Sequence, residues 1–280
     1  MKNSYSVLKD TLLHFNNDDG WAIASHVAMS VLMALFPFVI FGAALASFLG
    51  AKEYAETVSH LIFDAWPEVI ADPISREVIQ VLTVDRGGLL TLSALAAAFF
   101  STNGVEALRL SLNRAYRVSD GRSWFVTRLQ SLGFVVMAVL ASVAVSFLVL
   151  LGPIVVRLAR QYFPLLEEVI SAFDNWRILV AIVVLVAGLV ISHKWLPAGR
   201  RRVIDVLPGI LVTLIAWTVS AYGFGWYLSA MGNYVATYAG LASIVVALFF
   251  LYIVAAIFIV GAEINAAIMV VKARKYARSG

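Results

Sequence analysis

Long stretches without a charged residue dominate the pattern of hydrophobic and polar positions along this chain. No Asp, Glu, Lys or Arg occurs in the runs 21–51, 87–105, 129–156, 178–193 and 206–262. Since a helix needs about 20 mostly apolar residues to cross a bilayer, the last run is long enough for two crossings. A turn-rich stretch at 223–233 divides it. The pattern predicts six transmembrane helices, at about 24–49, 87–108, 128–156, 177–196, 204–228 and 241–271.

The composition supports a membrane protein. Hydrophobic residues make up 61% of the 280 residues and charged residues 14%, whereas about a quarter of a soluble domain is charged. Residues 1–20 are polar and of mixed charge, which is not typical of a cleavable signal peptide. We therefore expect an all-α polytopic protein with one integral membrane domain over 1–280, whose first apolar helix is uncleaved.

The basic residues predict the orientation. When the loops are sorted alternately, 15 of the 21 Lys and Arg residues fall on the side of both termini, and 10 of the 17 acids fall on the other. Cytoplasmic loops are enriched in Lys and Arg, so both termini are expected in the cytoplasm and the protein in the bacterial inner membrane. This topology accounts for the net charge of +4, so nucleic acid is not an expected partner.

Several segments between the spans have helical apolar spacing. Tyr5, Leu8, Leu12 and Phe15 predict an amphipathic helix over 4–16 on the cytoplasmic surface. On the other side, 54–66, 74–82 and 157–175 have a similar pattern. These segments either pack on the bundle and along the headgroups, or they gate a cavity.

Polar residues within the predicted spans are the candidates for function, because polar groups are costly in hydrocarbon. In the second span, one helical face contains Thr102, Glu106, Arg109 and Asn113. This face lies either where the helix emerges into water or along a polar groove open to the cytoplasm. In the first span, a histidine precedes Pro37, and a structural role is the commoner one for it. In the last span, Glu263 is suited equally to structural packing and to proton or substrate coupling. The candidates for a substrate path are His26, Ser30, Asn103, Glu106, Arg109, Asn113, Glu263 and Asn265.

Arg200, Arg201 and Arg202 form a basic cluster that is explained by topology alone or by contact with anionic lipid headgroups. Close packing of another helix against the last span is predicted because Gly261 and Asn265 share one face and small residues line the next.

Catalytic signatures are missing from the sequence. There is no cysteine, the four histidines are scattered, and no phosphate-binding loop, HExxH motif or GxSxG motif occurs. We therefore expect no metal, no cofactor, no ATPase of its own and no enzymatic activity.

Several motifs along the chain resemble one family. They are Asp18-Asp19-Gly20-Trp21, Ala34-Leu35-Phe36-Pro37, Asn113-Arg114-Ala115-Tyr116, Asp205-Val206-Leu207-Pro208-Gly209, Gly225-Trp226-Tyr227-Leu228 and Gly261-Ala262-Glu263-Ile264-Asn265-Ala266. Their order resembles the YihY/BrkB family over about residues 10 to 271, with Phe250 where the family pattern has Trp. The resemblance implies a six-helix inner-membrane protein connected with envelope integrity, serum resistance or export of lipids or solutes. It also implies that the family's former ribonuclease BN label is mistaken.

Two functions remain open at this point. The first is a transporter or translocator of a lipid or a small polar or anionic solute, with Arg109 accepting an anionic headgroup and Glu106 and Glu263 handling protons. The second is a non-transporting scaffold for envelope proteins, in which the same residues stabilise the bundle. Membrane lipids are the expected partners, an envelope protein is a further one, and small residues in the last span permit a homo-oligomer.

Overall fold

The described residues form helices joined by short turns and loops and contain no strand, which confirms the all-α prediction for this part of the chain. The structure is a computed structural model that describes residues 2–48, 87–230 and 241–279. The α-helices are α1 Lys2–Asn17, α2 Gly20–Phe48, α3 Gly87–Ala115, α4 Trp124–Ser146, α5 Gly152–Tyr162, α6 Glu167–Trp195, α7 Val203–Ala230 and α8 Leu241–Ser279. The predicted amphipathic segments 54–66 and 74–82 lie outside the described residues.

Four described segments are long and apolar enough to cross a membrane: Trp124–Val149, Glu167–Trp195, Val203–Leu228 and Ile244–Arg274. They correspond to four of the predicted spans. In α2, Gly20–Leu35 is a shorter apolar segment. The described residues of α3 do not include a segment that is both long and apolar enough to cross a membrane. Several apolar crossings make this a multi-pass membrane protein. The count of six spans and the cytoplasmic location of the termini stay predictions.

The third predicted span differs from the structure. Residues 128–156 were expected to form one helix, but a π-helical turn, Phe147–Leu151, separates α4 from α5. Pro153 lies in the first turn of α5, where it lacks an N–H and its ring crowds the carbonyl four residues earlier. The regular hydrogen-bond ladder therefore does not continue from α4 into α5.

Helix α6 begins ten residues before the span predicted at 177–196. Its first turn contains Glu167 and Glu168, which are polar but compatible with a helix. The charged residues before position 178 therefore limit the apolar run but do not limit the helix. Pro164, around which the amphipathic segment was predicted, starts a 3-10 turn, Pro164–Leu166, between α5 and α6.

The chain divides into two compact units. The first comprises Met1–His14, Leu112–Val212 and Val260–Gly280, and the second comprises Phe15–Ser111 and Thr213–Ile259. In the first, α4 and α5 pack against α6. The most apolar stretch of α4 contains no buried residue, as expected for a helix that faces lipid. The single integral membrane domain stays a prediction.

In the second unit, the turn before α2 accounts for the Asp18-Asp19-Gly20-Trp21 motif. Asp19 has a φ of 56°, and a Cβ on Gly20 would lie 2.5 Å from Phe15. The Phe15 ring meets Trp21 edge-on, with 4.9 Å between centroids. Only glycine fits at position 20 without displacing that ring.

Candidate functional site

Two loops of the first unit are joined by hydrogen bonds. One is 116–123 after α3, and the other is 196–202 between α6 and α7. The Ala198 N–H donates to Asn113 Oδ1 over 2.7 Å, and Asn113 Nδ2 donates to Asp120 Oδ2 over 3.1 Å. Arg122 donates to Asp120 over 2.8 and 2.6 Å and to the Leu196 carbonyl over 2.9 Å. The hydrogen bonds from Arg122 hold the pKa of Asp120 well below its usual range.

Tyr116 lies at the centre of a buried polar group that also contains His193, Arg201 and Asn265; we call these four residues the Tyr116 cluster. The Tyr116 hydroxyl is 2.8 Å from His193 Nδ1, and Asn265 Nδ2 donates to it over 3.2 Å. Asn265 Nδ2 also donates to the Val206 carbonyl over 3.0 Å. Each polar atom of the Asn265 side chain therefore has a protein partner, since its Oδ1 accepts from Gly209.

The orientation of the Asn265 amide follows from these hydrogen bonds. Because the Gly209 N–H can only donate, Asn265 Oδ1 must face it, and Nδ2 must face the Tyr116 hydroxyl. The Tyr116 hydroxyl and His193 Nδ1 share a further hydrogen bond, in which either atom can be the donor.

Arg201 covers the Tyr116 ring, with its Cζ 3.9 Å from the ring centroid. Its Nη2 donates to the Ala198 carbonyl over 2.9 Å, and the residue is 9% exposed. Its Nη1 is buried and has no hydrogen-bond partner among the described residues. Burial lowers the pKa of Arg201, and the neighbouring Tyr116 opposes that shift. The guanidinium therefore retains hydrogen-bonding capacity that the described protein groups do not use.

Burial raises the pKa of Tyr116 to about 12, against the opposing effects of the Asn265 hydrogen bond and the Arg201 charge. The phenol therefore stays protonated at neutral pH, so it can both donate and accept a hydrogen bond, and its ring lies against the Arg201 guanidinium. It is not suited to act as a base.

The Asn265 contact also accounts for the close approach predicted for the last span. The helix that approaches is α7, and a Cβ on Gly209 would overlap the Gly261 carbonyl and lie 2.6 Å from Asn265 Nδ2. Three motifs that carry the family resemblance thus meet in the first unit, through Tyr116, Gly209 and Asn265.

Glu263 is buried, with 1% of its side chain exposed. Arg117 Nη2 is 3.8 Å from its Oε2 and 2.7 Å from Asp10 Oδ2 on α1. The Asp10 and Arg117 side chains are 20% and 28% exposed, so this ion pair contributes roughly 0.2–1 kcal/mol, as exposed pairs do. Arg117 therefore lies within ion-pair distance of two carboxylates on different helices.

The second unit contains the remaining candidates. Arg109 and Glu106 form an ion pair within α3. The Thr102 hydroxyl donates to the carbonyls of Ala98 and Phe99, both at 2.8 Å. Asn103 is half-buried on the same helix. The polar face predicted for the second span is thus present on α3, and three of its side chains, those of Thr102, Glu106 and Arg109, bond within the helix.

His26 is exposed on α2, whereas Ser30 is half-buried, and a Cβ on Gly104 would lie 3.9 Å from the Ser30 backbone. Within the basic cluster, Arg201 is buried while Arg200 and Arg202 are exposed. The eight path candidates therefore fall into separate sets: Asn113, Glu263 and Asn265 in the first unit, and His26, Ser30, Asn103, Glu106 and Arg109 in the second.

The sequence patterns missed Tyr116, His193, Arg117 and Asp10 as site residues. Tyr116 is part of a family motif, and that was an available signal. His193 ends an apolar run and was noted only as one scattered histidine. Among the described residues, no group of three or more His, Asp or Glu side chains is arranged to hold a metal ion.

The described residues contain helices but no strand, and several of the helices are apolar and long enough to cross a membrane, so the chain is classed as a multi-pass membrane protein. It belongs to the BrkB virulence factor family, whose profile matches residues 11–279. This confirms the family resemblance of the sequence motifs.

Curated relatives support the same assignment. The chain is 29% identical to the ribonuclease-like protein YfkH of Bacillus subtilis over 266 residues, which cover 93% of this chain and 94% of that protein. It is 25% identical to a UPF0761 membrane protein of Rhodospirillum centenum, covering 100% of this chain and 61% of the relative. A UPF0761 membrane protein of Xanthomonas campestris is 23% identical, over 85% of this chain and 55% of the relative. The chain thus spans little more than half of these two UPF0761 proteins. No solved structure matches it.

Proposed function

We propose that this protein translocates an anionic lipid or a small anionic solute across the bacterial inner membrane, without an ATPase of its own and with both termini in the cytoplasm. The observation that carries the proposal is the buried Arg201 side chain, whose Nη1 has no hydrogen-bond partner among the described residues. Buried ionisable groups in a membrane protein are costly, and they commonly mark a substrate or ion path.

An anionic oxygen is the partner that this guanidinium lacks. Arginine presents several N–H donors in a fixed fork that suits carboxylate and phosphate groups. In this proposal, proton or substrate coupling falls to Glu263, which is buried in the same unit. We expect no catalytic step in this process and no ribonuclease activity.

The test compares purified protein in vesicles with a trace of fluorescent anionic or zwitterionic lipid in both leaflets, bleached from outside. Wild type should expose inner-leaflet anionic lipid to the bleach, and Arg201→Ala should lose most of that activity. Arg202→Ala is the matched control, because that arginine is exposed and only one residue away. A second arm follows efflux of a small trapped anion. Failure of wild type to move lipid or anion in either arm would rule out this function, and unchanged rates in Arg201→Ala would rule out the role of Arg201.

The scaffold is the second candidate, and one observation favours it. Asn113 and Asn265, both path candidates, use their side-chain oxygen and nitrogen atoms in hydrogen bonds to the protein itself. A scaffold would show no movement of lipid or anion in either arm, together with retention of an envelope protein on purification.

A further inference from the structure

Helix α1 has an unusual distribution of polar and apolar side chains. Its exposed apolar residues are Tyr5, Leu8 and Leu12, which are 71%, 57% and 58% exposed. Asp10 and Thr11 are on the buried side, Thr11 with 1% exposure. Tyr5, Leu8 and Leu12 thus point outward, as in helices that lie in a bilayer interface, whereas Asp10 and Thr11 lie on the inner side together with the half-buried Val7.

The polar contacts on the buried side of α1 hold this helix only weakly against the rest of the first unit. The Thr11 hydroxyl is buried and has no hydrogen-bond partner among the described residues. Such a group is destabilising when buried, and water would satisfy it if α1 moved away. The Asp10–Arg117 ion pair is partly exposed and therefore weak.

Arg117 is held in a backbone conformation that ordinarily selects glycine. Its φ is 58°, and it follows the C-cap of α3, where its N–H donates to the Arg114 carbonyl and the Val118 N–H donates to the Asn113 carbonyl. This is the glycine position of a Schellman motif. An arginine there carries a conformational cost, and its guanidinium lies between Asp10 and Glu263.

We propose that Asp10 and Glu263 compete for Arg117, so that docking of α1 sets the charge compensation of the buried Glu263. With α1 docked, the guanidinium is 2.7 Å from Asp10 and 3.8 Å from Glu263. When α1 moves away, Arg117 turns fully to Glu263. Since the outer face of α1 suits a lipid surface, its attachment to the bilayer is the input of this switch.

The inference rests on the proposed function only in that Glu263 belongs to the proposed path. Its test measures α1 and Glu263 directly and includes no translocation step. A failure of the switch and a failure of translocation are therefore distinguishable.

The experiment treats the full chain in lipid nanodiscs with a hydrophobic carbodiimide, which modifies protonated carboxyl groups, and maps the products by peptide mass spectrometry. Hydrogen exchange of residues 2–14 is followed in parallel. Asp10→Asn should raise exchange in α1 several-fold and lower modification of Glu263 at least threefold, because Arg117 then pairs with Glu263 alone. Arg117→Ala should also raise exchange in α1, but it should increase modification of Glu263 at least threefold.

The opposite signs separate competition from simple loosening, in which both variants would increase modification. Lys9→Ala, an exposed neighbour on α1, is the control and should change neither quantity. Glu106, paired with Arg109 on α3, is the internal reference. If Arg117→Ala does not fold, Asp10→Asn decides alone, since it removes one charge from a partly exposed site. Equal or increased modification of Glu263 in Asp10→Asn overturns the proposal.

Discussion

The side chain of Asn265 on α8 accepts a hydrogen bond from the backbone N–H of Gly209 on α7, over 2.6 Å. The same side chain donates to the Val206 carbonyl over 3.0 Å, so it binds two backbone groups of one neighbouring helix. It joins α7 to α8 where α7 contains Pro208, which offers no N–H of its own.

Asn265→Leu should destabilise the protein by roughly 2–5 kcal/mol, because it leaves the Gly209 N–H and the Val206 carbonyl buried without that partner. The measurement is unfolding in mixed micelles, followed by helicity. Asn16→Ala, at an exposed asparagine of α1, should change the free energy of unfolding by less than about 0.5 kcal/mol. Equal effects in the two variants would mean that the Asn265 hydrogen bonds do not stabilise the fold.

Gly209→Ala should be strongly destabilising, by about 1–3 kcal/mol, since the added Cβ would overlap the Gly261 carbonyl. Gly133→Ala in α4 is the matched substitution, because a Cβ there has no atom within 4 Å. It should be neutral or stabilising by up to about 1 kcal/mol, through helix propensity. Thermal denaturation in detergent measures both, and a Gly209→Ala protein as stable as Gly133→Ala would contradict the close approach of α7 and α8.

The raised pKa of Tyr116 predicts a pH dependence of stability. The folded phenol has a pKa of about 12 against 10.0 for an ordinary tyrosine. Its contribution is therefore complete below about pH 10 and is lost as the pH rises towards 12, by on the order of 2 kcal/mol. Tyr116→Phe should lose less stability than wild type between these values. The measurement is the free energy of unfolding of both proteins at pH 9, 10 and 11. The same decrease in both proteins would show that the pKa of Tyr116 is not raised.

The sequence alone predicted the elements that depend on local patterns. Helix α1 was expected over 4–16 and occupies Lys2–Asn17, and four predicted spans correspond to apolar helices. Apolar periodicity and runs without charge are local properties, so a single sequence contains them. The π-helical turn before Gly152 was not predicted, because the bonding around a proline depends on which carbonyls its neighbours can reach.

The Tyr116 cluster could not be predicted in the same way. His193 and Asn265 are 77 and 149 residues from Tyr116 along the chain. Nothing in the spacing of one sequence pairs such distant positions. Asn265 and Glu263 were nevertheless identified as candidates, because an amide and a carboxylate inside an apolar run are costly wherever their partners lie.

The orientation of the chain is open to a direct test, because the sequence has no cysteine and single cysteines can be labelled without background. Ser6, Ser119, Glu168 and Arg202 are exposed, so cysteines at these positions should react with a maleimide that does not cross membranes. If six helices cross the membrane with both termini inside, Ser6→Cys, Ser119→Cys and Arg202→Cys react only in inverted vesicles. Glu168→Cys then reacts only in intact spheroplasts. Labelling of Ser6→Cys and Ser119→Cys from opposite sides would mean that an odd number of crossings separates them, and the six-span prediction would be wrong.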